Sequence, residues 1–413
     1  MRLLSTVLRQ RANWRAPAHL ALLTVTLQGA PIISQAVASL IVPLAVIGSI
    51  RTMESALPIM VLLGSLGASS LAVREIAAAP NDASRREMGR DLLLLPFTGT
   101  LALLAIGSIL LLLAPSAWAP WIRSALPILP LALLININRC LGGTAQGWNR
   151  VAEISVPVAI GSALAVLCHL AGVWFGEARG WMIGRYAGEI LVLACFASVL
   201  RPGNGGALRA PIHWPRFGRL AAGAIVLNLA FVFRASADAL PLLALATAGQ
   251  TGAEVGAFGI ATLVLTMVML PIAVLSQFTL PALTKAAASG QASRRTAILM
   301  LTALGGLATI AIGGTALLFA ELLPPTFQPV ARFVALLSLA LPLKAAATGY
   351  GTRLIAAARF EAPLLGNGLE LAAIFLFCAI EPTPIRCGIA VILGAAVSLG
   401  SLAWLDHRPM RRH

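Results

Sequence analysis

The sequence predicts an all-α polytopic membrane protein of about twelve transmembrane helices, in two six-helix lobes related by a parallel pseudo-repeat. Three observations carry that expectation. Of 413 residues, 59% are hydrophobic and only 11% charged, with a mean hydropathy of +0.89. Soluble domains average about 45–50% apolar and about 25% charged residues, so this chain has too few charges to cover a water-facing surface. The apolar residues fall in long unbroken runs, such as 92–113 and 298–320. A helical span needs about 20 such residues, whereas barrel strands alternate polarity over about 10. The basic residues, finally, sort into alternate loops. A cytosolic enzyme, a secreted disulfide scaffold and a disordered regulator are excluded.

In chain order, spans are expected at 18–47, 55–79, 91–114, 124–147, 152–175, 181–200, 219–246, 255–282, 297–320, 329–357, 362–380 and 385–405. Residues 1–17 form a basic segment, read as an amphipathic helix lying on anionic lipid. A transit peptide is the alternative, since no acid precedes Glu54. The apolar stretch that follows is too long for a secretory signal. The second span ends at Arg74 and Glu75, which must sit at the interface or inside the bundle. Lobes are assigned to 18–200 and 219–405, joined by a polar linker at 201–218 and followed by a basic tail at 406–413.

The formal charge of +15 is mostly accounted for by one set of loops. That set carries Arg9, Arg11 and Arg15; Arg85, Arg86 and Arg90; Arg150; Arg209 and Arg216; Arg294 and Arg295; Arg359; and Arg411 and Arg412. The opposite loops hold single basic residues beside acids, Arg51 with Glu54 and Arg179 with Glu177. Cytoplasmic loops concentrate Lys and Arg, so both termini are expected in the cytoplasm, and the charge implies no nucleic acid. All eight tryptophans fall in loops or at span ends, where an amphipathic ring prefers the headgroup level.

A repeat supports the two lobes. Ala83-Ser84-Arg85-Arg86 recurs as Ala292-Ser293-Arg294-Arg295, and Arg150 matches Arg359 at the same offset of 209 positions. Six spans per half keep both halves in one orientation, the arrangement of transporters that alternate access around a site between lobes.

No GxxxxGK[ST] phosphate loop, catalytic triad or GxSxG elbow occurs, so neither ATP coupling, an enzyme nor a cofactor is expected. The cysteines Cys140, Cys168, Cys195, Cys378 and Cys387 lack metal-ligand spacing and read as small buried hydrophobes.

An ionisable group at membrane depth is costly, so it faces a cavity or a partner. Arg234 and Asp238 share a face of span seven; they neutralise each other, line a cavity, or do both. Lys344 lies in span ten and Glu370 in span eleven, and pairing between them is the structural alternative to a cavity role. Arg139 and Lys344 have no carboxylate within about a turn of their own helices, so they are the candidates for an anion-accepting surface. Gln146 lies two turns beyond Arg139 on the same face. Gln28 and Gln35 share a face of span one, and Arg353 ends span ten. Glu189 follows Arg185 by one turn in span six. Such basic groups suit a diphosphate or an acidic sugar.

Several segments resemble polysaccharide-type (Wzx-like) flippases of lipid-linked oligosaccharides, in the MATE-like transporter superfamily. They are Leu66-Gly67 with Ala72-Val73-Arg74-Glu75-Ile76; Gln146-Gly147; Arg234 and Asp238; Glu254-Val255-Gly256-Ala257-Phe258; Pro271; and Leu280-Pro281-Ala282-Leu283. Phe258 stands where that family usually has Tyr. The resemblance implies a MATE-like fold and the flipping of a polyprenyl-diphosphate-linked oligosaccharide across a bacterial inner membrane, through a cationic cavity mapping onto Arg139, Arg234 and Lys344. Membrane lipids, a polymerase and other polysaccharide-assembly proteins are the implied partners. The competing expectations are a cation-coupled drug exporter and a membrane-embedded polymerase or ligase.

Overall fold

The computed structural model describes residues 15–79, 81–113, 128–200, 214–288, 296–357 and 359–407. Among them the chain is helical throughout, without a strand. The helices are α1 (Arg15–Ile41), α2 (Leu44–Ser65), α3 (Ala68–Ala78), α4 (Asp82–Leu113), α5 (Ile128–Gly147), α6 (Val151–Val199), α7 (Trp214–Thr247), α8 (Gly252–Ala288), α9 (Thr296–Ala308), α10 (Gly314–Phe319), α11 (Gln328–Ser338), α12 (Leu341–Ala356), α13 (Glu361–Ile380) and α14 (Pro384–His407).

Among the described residues, ten helices are long and apolar enough to cross a membrane, and the bent pair α11–α12 makes an eleventh crossing. The twelfth is hidden inside α6. Its backbone leaves helical geometry at Gly176 (φ −149°, ψ 20°) and Glu177 (φ 50°, ψ −132°). The two arms then run back along each other at backbone contact. A Cβ on Gly172 or Gly180 would strike the other's carbonyl, and one on Gly184 would strike that of Cys168. Close approach of this kind is what small residues permit between membrane helices.

Prolines set two of the other breaks. Pro43 lacks an N–H and disfavours the α region for Val42, so α1 stops at Ile41. Span one therefore ends earlier than the expected 47 and span two begins at Leu44, not 55. Span two is itself broken between α2 and α3, where Leu66 and Gly67 adopt positive φ of 47° and 75°. The 43° bend between α11 and α12 has its cause in Pro342, which cannot donate to the Ser338 carbonyl; Thr309 Oγ1 donates to it instead, at 2.8 Å. Thr309 opens a π turn, Thr309–Gly313, that continues α9 into α10.

In chain order the helices divide at 200–214 into a first group, α1–α6, and a second, α7–α14, and α2 packs on both. Within the first, α1 lies on α6 and α5 on α3; within the second, α13 lies on α14 and α7, and α9 on α12. The groups meet through α2 against α7 and α8, with α1 adding contacts to α8. At the end of the bundle remote from the termini they are in backbone contact, since a Cβ on Gly256 would strike the Leu44 carbonyl and one on Gly48 would lie 2.5 Å from that of Gly252. One core runs through both groups there, including Ile47, Ile50, Trp181, Leu242, Val255 and Phe258. Outward faces are apolar, with Phe175 87% and Leu112 84% exposed, as a lipid-facing belt requires. The chain is a multi-pass membrane protein.

Several expectations need correction. Arg51 and Glu54, assigned to an external loop, lie inside α2, where Glu54 pairs with Arg185 of α6 and Arg51 donates hydrogen bonds to Gln35 and Thr262. Trp181 lies one turn past the break in α6, at a span end as expected, but it does not face lipid: it is fully buried, and its Nε1 donates to Glu54 Oε1 at 2.8 Å. Helix α7 already begins at Trp214, within the stretch read as linker. Residues 292–295 of the repeat lie outside the described residues, whereas Arg150 and Arg359 both follow the final turn of a span.

Candidate functional site

Two polar clusters lie at membrane depth, one in each helix group. The first unites four residues singled out from sequence. Arg234 and Asp238 stand one turn apart on α7, with Arg234 Nε 3.5 Å from Asp238 Oδ2. Lys344, just past the proline bend on α12, bonds to Asp238 Oδ1 and lies 3.6 Å from Glu370 Oε1 on α13. Arg234 Nη1 closes the ring, 3.6 Å from Glu370 Oε2. The two cations and two carboxylates form a formally neutral quartet.

Of the two expectations for Lys344, an anion-accepting cation or a partner of Glu370, the structure shows the pairing, and adds Asp238 of α7, a partner that a search along its own span does not reach. Exposure grades across the quartet. Glu370 is fully buried and Lys344 nearly so, Arg234 is about a quarter exposed, and the Asp238 side chain is 52% exposed. Asp238 is thus the member of the quartet that stands open on one side while Lys344 and Arg234 hold it on the other.

The second cluster was only partly anticipated. Arg185 on α6 bonds Glu54 on α2 at 2.9 Å and Glu189 one turn further at 3.1 Å. Asn138 Nδ2 also donates to Glu189 Oε2, at 2.8 Å. Near it, Arg51 donates to Gln35 Oε1 at 2.6 Å and to Thr262 Oγ1 at 3.0 Å, so a residue of the first group is tied to α8 of the second. Sequence reading missed these contacts. The available signal was the stretch 44–65, which forms one apolar run if Arg51 and Glu54 are allowed partners.

Arg139 stands apart. It is exposed, with Glu189 and Arg185 as its electrostatic neighbours. No ion pair joins it to another described residue. On α5, Asn136 turns to α2, donating to the Val61 carbonyl at 2.8 Å, while Gly142 faces α1 and α6. At 100° per residue, position 139 falls between those directions and looks into the gap between α1 and α2. Gln146 shares that face and is half-buried. Gln28 is exposed on α1 and makes no hydrogen bond to a described residue, unlike Gln35.

Arg353 belongs elsewhere. It pairs at 3.0 Å with Asp406 on α14, which explains it as a tie within the second helix group rather than as part of the quartet. Among the cysteines, Cys378 and Cys387 meet with their sulfurs 3.6 Å apart, and both are buried. Among the described residues, no cluster of His, Cys, Asp and Glu has the form of a metal site.

No family model matches the sequence, and no curated protein sequence matches it. Solved structures do match in fold. The lipid II flippase MurJ in an inward closed conformation aligns at TM-score 0.65 and 11% identity, covering 93% of this chain and 88% of that one. An inward-facing multidrug resistance MATE family transporter of the MOP superfamily gives 0.64 at 16% identity, over 94% and 96% of the two chains. A MOP superfamily transporter from Pyrococcus furiosus, described as having a binding pocket of reverse polarity, gives 0.65 at 16% identity over 94% of both. The chain therefore has the fold of the MOP superfamily transporters.

Proposed function

We propose that the protein is a transporter that flips a lipid carrying an anionic, diphosphate-linked saccharide head between the leaflets, by alternating access between its two helix groups. The observation that carries this reading is Arg139, an exposed cation near the middle of α5 and without an ion-pair partner among the described residues. An unpaired guanidinium at that depth is costly unless it receives an anion, and its planar donor fork suits phosphate oxygens. Arg234 and Lys344 supply further cationic groups on the other side of the interface, while the lipid tail stays in the bilayer.

The MATE-like fold keeps a second reading in view, a cation-coupled exporter of drugs or metabolites. Its supporting feature is the half-exposed Asp238, since an open carboxylate at membrane depth is what a cationic cargo or coupling ion would need. Two internal cations already hold that carboxylate, which favours the anionic cargo. Membership of a bacterial polysaccharide pathway, termini in the cytoplasm and a partner polymerase belong to this proposal.

The test is a strain lacking the gene. Build-up of lipid-linked saccharide units on the leaflet where they are made supports the reading, and restored export by the wild type but not by Arg139→Ala assigns Arg139 its role. Normal surface polysaccharide without such build-up would overturn it, and resistance to cationic dyes on overexpression would move the choice to the exporter.

A further inference from the structure

Within the quartet the bonding is uneven. Asp238, the most exposed member, takes the hydrogen bond from Lys344 and part of the charge of Arg234. Glu370 is buried completely between the same two cations, yet neither of its oxygens accepts a hydrogen bond. Both lie at 3.6 Å, within ion-pairing reach but beyond hydrogen-bonding distance. A buried carboxylate ordinarily takes its donors first, because leaving it without them costs more than leaving an exposed one. Here Lys344 is drawn outward onto the carboxylate that water can also serve, while Arg234 stands evenly between the two, 3.5 Å from Asp238 and 3.6 Å from Glu370.

We propose that Asp238 is a displaceable occupant of a diphosphate subsite whose fixed parts are Lys344 and Arg234, with Glu370 as the buried counter-charge that keeps both cations in place. The idea rests on the function proposed above and deepens it by naming where the head binds. A diphosphate presents several anionic oxygens on adjacent phosphorus atoms, enough to replace the single carboxylate on both cations at once. Asp238 can leave at low cost because its side chain is half-exposed, so only its own rotamer need change. Glu370 cannot leave, since no water reaches it. The acid thus keeps the two cations from standing unpaired while the site is empty, and competes with a weakly charged ligand that lacks the charge to displace it.

The test measures binding of inorganic pyrophosphate and of farnesyl diphosphate to the purified full-length protein in nanodiscs, for wild type, Asp238→Asn, Asp238→Ser and Asp238→Asn/Lys344→Ala. Removing the competing charge is expected to tighten pyrophosphate binding by about tenfold in either single variant. Removal of Lys344 as well should abolish that gain. Serine is included so that a folding defect in one variant does not decide the matter. If the wild type binds pyrophosphate but both single variants bind it equally or more weakly, displacement is overturned while the proposed function stands. If neither wild type nor variants bind either probe, the diphosphate head of the proposed function falls with it. Tighter binding of farnesyl diphosphate than of pyrophosphate assigns the subsite to a lipid-borne head; equal binding keeps the subsite but assigns it to free diphosphate.

Discussion

Replacement of Arg185 by Met tests whether the cluster in the first helix group holds that group together. Arg185 is nearly fully buried and bonds two carboxylates, Glu54 at 2.9 Å and Glu189 at 3.1 Å, whose side chains are only 7% and 13% exposed. Met keeps most of the volume and removes the charge, so two like charges are left facing each other without their shared cation. Breaking a buried pair by removing one partner costs about 3–5 kcal/mol. At about 2 °C per kcal/mol for a large domain, the melting midpoint in detergent should fall by about 6–10 °C. Fluorescence-detected size exclusion after graded heating measures it. The triple variant Glu54→Gln/Arg185→Met/Glu189→Gln removes the uncompensated charges and should recover more than half of the loss. A midpoint for Arg185→Met within about 1 °C of wild type would refute the reasoning, as would a triple variant no better than the single one.

Gly180→Val places a side chain against the Gly172 carbonyl and should split the α6 hairpin, abolishing the monodisperse peak; Gly400→Ala, which meets nothing within 4 Å, should leave it intact. Gly256→Leu drives a side chain into the Leu44 carbonyl, so maleimide labelling of an Ile47→Cys reporter, buried in the parent, should rise several-fold; unchanged labelling would deny the contact between the groups. Arg353→Met strips Asp406 of its partner and should cost about 2 kcal/mol of stability, read as a midpoint lower by about 4 °C, with transport falling no more than folded protein does.

The spans were legible because a stretch buried in lipid must be apolar along its whole length, a property each residue reports by itself. Chain direction changes were legible only where punctuation was local. Gly176-Glu177 sits between two apolar runs, and the turn there matches the expected gap at 176–180. Pro43 also marks a break, yet Arg51 and Glu54 drew the expected boundary about ten residues too far along. A charge reads as a loop residue when its partner is invisible, and the partner of Glu54 lies 131 positions away in Arg185. Lys344 shows the same limit, since its strongest partner, Asp238, is 106 positions distant. Its contact with Glu370 was anticipated, because two opposite charges near the middle of neighbouring spans have few other ways to be satisfied. Arg139 was legible for the converse reason: its significance is the lack of an ion-pair partner, and the sequence offered none close by.

The neutrality of the quartet bears on how the bundle answers the membrane potential. Each elementary charge moved across the membrane exchanges about 2.3 kcal/mol with a potential of 100 mV. Arg234, Asp238, Lys344 and Glu370 sum to zero, so a rocking of the second helix group displaces no net charge from these residues through the field. Voltage would then have little grip on the empty protein at this site. A diphosphate bound there would bring its own charge, so at this site the field would act on the passenger and not on the residues that hold it.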